Sequence, residues 1–168
     1  MSLFNRIKNL LKPEEPPKPE KSVLTVGPGD VIEVSLVTYQ VTGRTRNAQR
    51  NAILLTLQDG NTVCYLYIEE RERTTYTLYS SVDGRLDAFN EVPTSIELEG
   101  VHYHLEEQYS GIVTVAGKTP FTSGGEQHVW QFQSDARKLL RIEWQDGRLI
   151  MYEGDSVIPA DVQVLRSS

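Results

Sequence analysis

The sequence is poor in cysteine, in long apolar runs and in positive charge, and each shortage excludes a class of protein. A single cysteine, Cys64, among 168 residues rules out an internal disulfide framework and cysteine-rich zinc sites. Lys and Arg number 17 against 23 Asp and Glu. The resulting net charge of −6 argues against a nucleic-acid-binding protein, because affinity for a phosphate backbone is largely electrostatic.

The short motifs of common catalytic sites are also missing. The sequence has no glycine-rich phosphate loop, no serine–histidine–aspartate order with a nucleophile elbow and no zinc-ligand spacing. No local motif pairs Cys64 with His or Asp, so we expect this cysteine to be a small core residue. We therefore predict neither catalytic residues nor a cofactor.

The first 12 residues have the pattern of a short amphipathic helix. Apolar residues recur at spacings of three and four, which places them on one helical face, and the basic residues fall largely elsewhere. Pro13 cannot continue the helix. The segment is too short and too interrupted by charge for a spanning helix or a signal peptide, so we expect a cytoplasmic protein. The apolar residues are Leu3, Phe4, Ile7, Leu10 and Leu11, and the basic ones are Arg6, Lys8 and Lys12.

Residues 13–22 form a proline-rich tether between this helix and the rest of the chain. Its first eight residues, PEEPPKPE, hold four of the eight prolines and favour an extended polyproline conformation that reaches about 25 Å. A basic, apolar segment thus precedes an acidic body. We predict that residues 1–12 dock to the groove of a protein partner or peripherally to the inner face of a membrane. The alternatives are that the segment docks back onto the body, or that it has no structure until another molecule binds it.

Residues 23–168 are predicted to form an all-β domain of about a dozen short antiparallel strands, arranged as a sandwich or small barrels. Strands are expected at 31–36 and 37–43, and at 101–107 and 112–116. Asp-Gly pairs at 59–60, 83–84 and 146–147 mark turns. A single helical turn is expected to begin at Pro159.

The alternation of side chains predicts which strand faces are buried. In the strand at 139–144, Leu140, Ile142 and Trp144 point one way, and Arg141 and Glu143 point the other, as in a sheet with one solvated face. The strand at 63–68 is apolar on both sides. We therefore expect it to be central and covered on both faces.

Two stretches of the body resemble two others. The sequence VTYQV at 37–41 resembles VHYHL at 101–105, and LLTLQDGNTVCYLYIEE at 54–70 resembles VWQFQSDARKLLRIEWQ at 129–145 in polarity and turn position. This pattern favours a duplication, with two related β-units at about 23–92 and 94–168.

One strand carries a candidate metal site. His102, His104 and Glu106 alternate along it and share a face, and two histidines two positions apart on a strand can lean toward one metal ion. His128 is a candidate fourth ligand. The alternative is an ordinary solvated sheet face.

Two loops are candidate contact sites. The sequence GRTRNAQRN places Arg44, Arg46 and Arg50 in a predicted basic loop after the second strand, suited to an acidic partner or a phosphate. An exposed polar loop without a ligand is the alternative. The loop at 119–125 carries Phe121, which we expect to insert either into a partner or into the protein's own core.

Several motifs in order resemble those of a known bacterial family. They are Gly29-Asp30, YLYIEE at 65–70, LEGVHYHLEEQ at 98–108, and LLRIEWQDGR followed by MYEGDSV within 139–157. Over residues 24–165 the chain resembles the domain of unknown function 4178 family. The resemblance implies no activity and no catalytic residues. It implies a context, since such domains tend to be encoded near membrane-stress proteins of the phage-shock type, band-7 proteins and polyamine-synthase-like enzymes.

Two functions are therefore expected from the sequence. The first is a non-catalytic interaction or adaptor module of a bacterial membrane-stress-type system, docked by its N-terminal helix. The alternative is a β-barrel that binds a metal or a small ligand such as a polyamine. The polyamine hypothesis rests on the family context and on a group of acidic residues: Glu69, Glu70, Glu72, Glu106 and Glu107.

Overall fold

The computed structural model describes residues 23–83 and 91–166, so the predicted helix at 1–12 and tether at 13–22 lie outside the described residues. The described residues form eleven strands in one antiparallel sheet, in the order β11-β1-β2-β3-β4-β5-β10-β9-β8-β7-β6. The strands are β1 Val31–Val34, β2 Val37–Asn47, β3 Ala52–Asp59, β4 Thr62–Glu70, β5 Thr74–Val82, β6 Ser95–Leu98, β7 Val101–Gly117, β8 Gly125–Ser134, β9 Leu139–Gln145, β10 Arg148–Val157 and β11 Val162–Arg166.

Pairing between β2 and β7 closes the sheet into a barrel. Residues 43–47 of β2 lie antiparallel to residues 113–117 of β7, so that eight strands, β2 to β5 and β7 to β10, form a ring. The short strands β1, β11 and β6 extend the sheet outside the ring. The predicted all-β fold is confirmed, and its architecture is a single closed barrel with additional strands.

The two long strands, β2 and β7, each contain a β-bulge, which lets one strand contribute buried side chains to both faces of the sheet. In β2, Val41 pairs with Leu57 and Gly43 with Thr56, which leaves one extra residue between them. The register of β7 shifts in the same way between Leu105 and Glu107. Because side chains alternate along a strand, one extra residue moves the following odd-numbered side chains to the opposite face. Each long strand therefore contributes to an outer apolar cluster before its bulge and to the barrel interior after it.

The closing pair requires glycine at two facing positions. A Cβ atom on Gly43 would lie 1.7 Å from the carbonyl oxygen of Lys118, and one on Gly117 would lie 2.3 Å from the carbonyl oxygen of Thr42. Gly117 also has a positive φ of 71°. Since only a residue without a side chain fits so close to backbone, these two glycines permit β2 and β7 to meet.

Three groups of buried side chains stabilise the barrel. The first outer cluster covers one face of β1 to β5 and includes Ile32, Val41, Leu55, Leu66 and Ile68. The second outer cluster covers the corresponding face of β7 to β10 and includes Tyr103, Trp130, Phe132, Leu140 and Ile142. The interior cluster lies within the ring and consists of Ala52, Leu54, Tyr67, Tyr79 and Tyr152.

The prediction of a central β4 is confirmed. This strand lies between β3 and β5, and Cys64, Leu66 and Ile68 join the first outer cluster while Tyr67 faces the interior. The predicted short helical turn is present as a 3-10 turn at Pro159–Asp161. Phe121 inserts into the protein's own core, where 6% of it is exposed.

Three sequence predictions about strands are wrong. The polar face of β9 is not solvated, because Arg141 is 3% and Glu143 1% exposed inside the barrel. The predicted strand at 37–43 continues to Asn47, since its second half gains β7 as a partner. The two strands predicted at 101–107 and 112–116 are one strand of 17 residues, because β7 pairs in turn with β6, β8 and β2.

Among residues 23–83 and 91–166, no helix has the length and hydrophobicity needed to span a bilayer.

Candidate functional site

An ion pair lies in the barrel interior. The Nε atom of Arg141 is 2.9 Å from Oε2 of Glu143, two positions along β9, and the two side chains are 4% and 2% exposed. The hydroxyl of Tyr152 donates a hydrogen bond of 2.9 Å to the other carboxylate oxygen of Glu143. A buried carboxylate requires such partners, because removing its charge from water is costly unless opposite charge and hydrogen bonds replace the water.

Two tyrosines from other strands complete the surroundings of Arg141. Its guanidinium lies over the ring of Tyr67, 4.4 Å from the centroid, and its Nη1 donates a hydrogen bond of 3.1 Å to the hydroxyl of Tyr109. Burial alone would lower the pKa of Arg141, but Tyr109 and Glu143 raise it well above its usual value. Burial also raises the pKa of Tyr67 well above 10.0. Arg141 is therefore a charged guanidinium that lies over the neutral phenol ring of Tyr67.

Arg50 closes the end of the barrel where β2 turns into β3. Its side chain is 12% exposed, and it forms ion pairs of 2.9 Å with Glu69 and 2.8 Å with Glu107. Its guanidinium carbon lies 3.7 Å from the centroid of the Tyr109 ring. Tyr109 thus contacts two arginines, because Arg50 lies over its ring and Arg141 donates a hydrogen bond to its hydroxyl. We call these six residues the interior network: Arg50, Tyr67, Tyr109, Arg141, Glu143 and Tyr152.

At the opposite end of the barrel, two glutamines and a loop fill the interior. Gln127 donates a hydrogen bond of 3.3 Å to Gln145, and Gln145 donates one of 2.6 Å to the backbone oxygen of Ser123. Ser123 belongs to the loop between β7 and β8, in which Phe121 is buried. The amide and aromatic side chains therefore cover this end from within the chain.

Little space remains between these groups. One cavity of about 10 Å³ is bounded by Thr45, Tyr67, Tyr109, Gln127 and Arg141 among others. A cavity of that size holds about one water molecule. Small eight-stranded barrels are either filled by side chains or hold one small ligand, and this barrel is of the filled kind.

The structure does not assemble the predicted metal site. His102, His104 and Glu106 are exposed, but Glu106 lies at the bulge between Leu105 and Glu107, where the alternation of β7 is interrupted. His128, however, pairs with Ser110, six residues along β7 from His104, a distance of about 20 Å on a strand. Across the residues that the structure describes, no three His, Cys, Asp or Glu side chains come together as a metal site would require. The prediction of His128 as a fourth ligand is wrong, because strand register separates it from the others.

The histidines instead have local acidic neighbours. The Nε2 atom of His102 lies 3.9 Å from Glu97 on the paired strand β6, and that of His128 lies 3.6 Å from Glu126 on its own strand. The side chain of His102 is 65% exposed. Contacts between such solvated groups contribute little to stability.

The predicted basic loop is also placed differently. Arg44 and Arg46 lie within β2, and Arg50 alone lies in the turn after it. They do not face a common point, because Arg50 reaches the barrel end while Arg44 donates a hydrogen bond of 2.7 Å to the backbone oxygen of Leu24. The glycine and polar residues of this segment favoured a loop, whereas the pairing with β7 extends the strand through it.

Two of the acidic residues grouped by the sequence do meet in space. Glu69 and Glu107 both bind Arg50, and both lie within 4.0 Å of Arg71. Glu106 occupies the bulge position between Leu105 and Glu107 and is exposed. The acidic group is therefore divided, and part of its charge is neutralised by arginines of the same chain.

Cys64 has the environment of a core residue, as predicted. It is free, buried and 6% exposed, and it belongs to the first outer cluster. Burial raises the pKa of its thiol. A reactive cysteine requires the opposite shift, so the local electrostatics oppose nucleophilic chemistry at this position.

Comparison with known protein families identifies the family of this chain. A family model described as a domain of unknown function (DUF4178) matches residues 27–159. The chain belongs to the DUF4178 family. The DUF4178 match includes every strand of the barrel ring, both bulges and the whole interior network. No curated protein and no solved structure gave a significant match.

The sequence did not indicate the interior network. The alternation in β9 predicts a solvated face for Arg141 and Glu143, and no motif indicates a role for Tyr67 or Tyr109. A signal exists in the composition of β3, β4 and β5, whose inner faces carry apolar residues and tyrosines that require a cover. This signal can be interpreted only once the sheet is known to close, because Tyr109 and Arg141, which cover Tyr67, lie 42 and 74 positions later in the chain.

Proposed function

We propose that this DUF4178 chain is a non-catalytic interaction module of a bacterial membrane-stress-type system, which works in the cytoplasm and docks through residues 1–12 to a partner protein or a membrane surface. The barrel serves as a rigid body carried by that segment. Residues 1–12 hold the amphipathic and basic pattern that docking requires, and the proline-rich spacer separates them from the body.

The filled interior of the barrel carries this proposal. Arg141, Glu143 and Tyr152 are each 3% exposed or less, and the interior cavity holds about one water molecule. A ligand could enter only by displacing charged groups that are already paired with one another. This arrangement favours binding at the outer surface over binding of a small molecule inside the barrel.

Exposed apolar side chains on the outer strands support a surface role. Leu36, in the turn between β1 and β2, is 89% exposed, and Ile158, just before the 3-10 turn, is 62% exposed. Both lie at the same end of the β1 and β11 pair, since Ser35 donates a backbone hydrogen bond to Asp161. Large apolar residues in solvent at a hairpin tip are suited to contact with another molecule.

We also infer that the barrel descends from a duplicated unit of five strands. The order of connections from β1 to β5 repeats from β6 to β10, and β2 and β7 each follow a two-residue hairpin turn. The buried Tyr39 and Tyr103 occupy equivalent places, two residues into each long strand. The bulges likewise lie one residue after Val41 and one residue after Leu105.

The docking proposal is tested by co-sedimentation of the full chain with vesicles and by capture of partners from the native cell. The variant F4E/L11E places charge on the predicted apolar face, and N5E/N9E adds the same charge elsewhere. We expect F4E/L11E to reduce binding to anionic vesicles or to a captured partner, while N5E/N9E retains most of it. Equal behaviour of the two variants in both assays would remove residues 1–12 from the proposal.

A further inference from the structure

Two arginines on the outer face of β2 have no acidic partner within the described residues. Arg44 and Arg46 alternate with the buried Thr45, so their side chains leave the strand on the face opposite the barrel interior. Three other arginines, Arg50, Arg71 and Arg141, each have a carboxylate within 4.0 Å. Across residues 23–83 and 91–166, neither Arg44 nor Arg46 has one. Their charges are therefore not neutralised by the surrounding strands.

Arg44 is held in place by its surroundings. Its Nη2 donates a hydrogen bond of 2.7 Å to the backbone oxygen of Leu24, and its Cδ would lie 3.7 Å from a Cβ atom placed on Gly27. Its Nε is buried and has no hydrogen-bond partner among the described residues. Burial, followed by the charge of Arg46, lowers the pKa of Arg44. The hydrogen bond to Leu24 holds the guanidinium in one position, which lowers the entropy cost of binding an anion beside it.

A cavity lies between these two side chains and the start of the domain. It measures about 80 Å³ and is lined by Leu24, Thr25, Arg44, Arg46, Asn51 and Ile53 among others. That volume holds several water molecules and admits a tetrahedral oxyanion. Guanidinium groups bind such anions in pairs of parallel hydrogen bonds, which match the geometry of phosphate oxygens.

We propose that Arg44 and Arg46 form a binding site for a phosphate group, which is either free in solution or part of a lipid headgroup. A phosphate dianion would neutralise both charges and accept hydrogen bonds from guanidinium groups that line the cavity. The site lies on the outer face of β2, separate from the interior network. It does not depend on the docking role proposed for residues 1–12.

The first test measures thermal unfolding of the full chain in potassium phosphate and in potassium chloride at equal ionic strength. Binding to the folded state raises the unfolding midpoint as ligand concentration rises. Because phosphate also stabilises folded proteins by exclusion from their surface, binding is measured by the part of the rise that depends on Arg46. We expect a loss of phosphate affinity of about tenfold or more in R46Q. Arg46 is exposed, so R46Q is expected to fold even if R44Q does not. R73Q, which removes an exposed arginine in the turn between β4 and β5, is the matched control.

The second test separates the two sources of phosphate. Binding of R46Q and R73Q is compared on vesicles of phosphatidic acid and of phosphatidylcholine. Weaker binding of R46Q than of R73Q to phosphatidic acid assigns the site to a headgroup. Equal vesicle binding together with a phosphate-dependent thermal shift that R46Q loses and R73Q retains assigns it to free phosphate. A phosphate-dependent shift that is the same in R46Q and R73Q, with no difference between the variants on vesicles, would overturn the proposal.

The chain's own acidic spacer is the competing occupant. Glu14, Glu15 and Glu20 precede the residues that line the cavity, and a carboxylate also fits a guanidinium. The variant E14Q/E15Q/E20Q decides between them. Phosphate binding that is unchanged in this variant supports the proposal. Phosphate binding that is detected only in this variant would assign the two arginines to the spacer and overturn it.

Discussion

Arg141 and Glu143 form an ion pair inside the barrel although both belong to the same strand and are only two positions apart. Side chains at this spacing share a face of the sheet, so the pair forms without contacts between strands. The barrel then encloses it. Closure of the barrel, rather than formation of the ion pair, removes these charges from water. Loss of one partner therefore leaves the other buried without a counter-charge.

We predict that Glu143→Ala destabilises the protein by about 3–5 kcal/mol, because it leaves Arg141 buried without a counter-charge. The double variant R141M/E143L replaces both charges with apolar groups and should cost less than the sum of the single changes. Urea unfolding of the single and double variants measures the difference.

A surface pair provides the control for that experiment. Lys138 lies 3.2 Å from Glu153, with side chains 43% and 23% exposed. Because water screens such a pair, Lys138→Gln should change the free energy of unfolding by about 1 kcal/mol or less. If Glu143→Ala cost no more than Lys138→Gln, the interior pair would not be a buried ion pair in solution.

The closing pair of glycines gives a second prediction. Gly43→Ala places a methyl group 1.7 Å from the carbonyl oxygen of Lys118, where backbone has to move. We expect a loss of about 2–3 kcal/mol or more, measured by chemical denaturation. Gly60→Ala is the control, because a Cβ there meets nothing within 4 Å and its cost comes from the positive φ of 59° alone. That cost is about 1 kcal/mol. Equal losses at the two positions would argue against close contact between β2 and β7.

The buried tyrosines predict a loss of stability at alkaline pH. Burial, followed by the neighbouring Cys64, raises the pKa of Tyr39 from 10.0 to about 12, and burial raises the pKa of Tyr67 and of Tyr152 well above 10.0. In the unfolded chain these phenols lose their protons near pH 10, while in the folded chain they retain them. Proton loss therefore favours the unfolded state, so stability is present below pH 10 and falls as the pH rises through 12.

Tyrosinate absorbance and circular dichroism, followed together through an alkaline titration, test this expectation. The buried tyrosines should ionise in the same step in which the strands unfold. Tyr39→Phe removes one contributor and should move that step to higher pH. Complete ionisation near pH 10 with unchanged circular dichroism would contradict the assignment of these tyrosines to buried sites.

The hairpin between β1 and β2 gives a fourth prediction. Ser35 and Leu36 have φ values of 49° and 70°, which are unfavourable for residues with side chains and typical of a type I′ turn. Leu36 is 89% exposed, so it loses no burial when truncated. Leu36→Gly should stabilise the protein by about 1 kcal/mol in chemical denaturation. A destabilised variant would indicate that Leu36 packs against the body in solution.

The sequence predicted which residues share a face of a strand better than it predicted whether that face is solvated or buried. Alternation placed Leu140 and Ile142 on one face and Arg141 on the other, and both assignments of side are correct. The prediction that the polar side is solvated was wrong, because a solvated face and a barrel interior with paired charges show the same alternation of side chains in the sequence. The position of His128 relative to His104 could not be predicted either, since it depends on the register between β7 and β8.

The predicted end of β2 at Gly43 was wrong for a related reason. The residues Gly43 to Asn47 are polar and would favour a loop if judged by their own composition. They are extended because β7 lies beside them, some 70 residues later in the chain. Tertiary contacts thus override local propensity at the point where the barrel closes.

That separation also determines how the chain must fold. Gly43 and Gly117 meet only after the intervening residues have been synthesised and ordered, so the ring cannot close during synthesis of the first half. Pairing across so long a loop has a high entropy cost and slows folding, and β2 leaves an unpaired edge open until β7 arrives. We expect the first half of the chain to aggregate when it is alone. Pairing of β7 with β2 covers the exposed strand edge and should end this tendency.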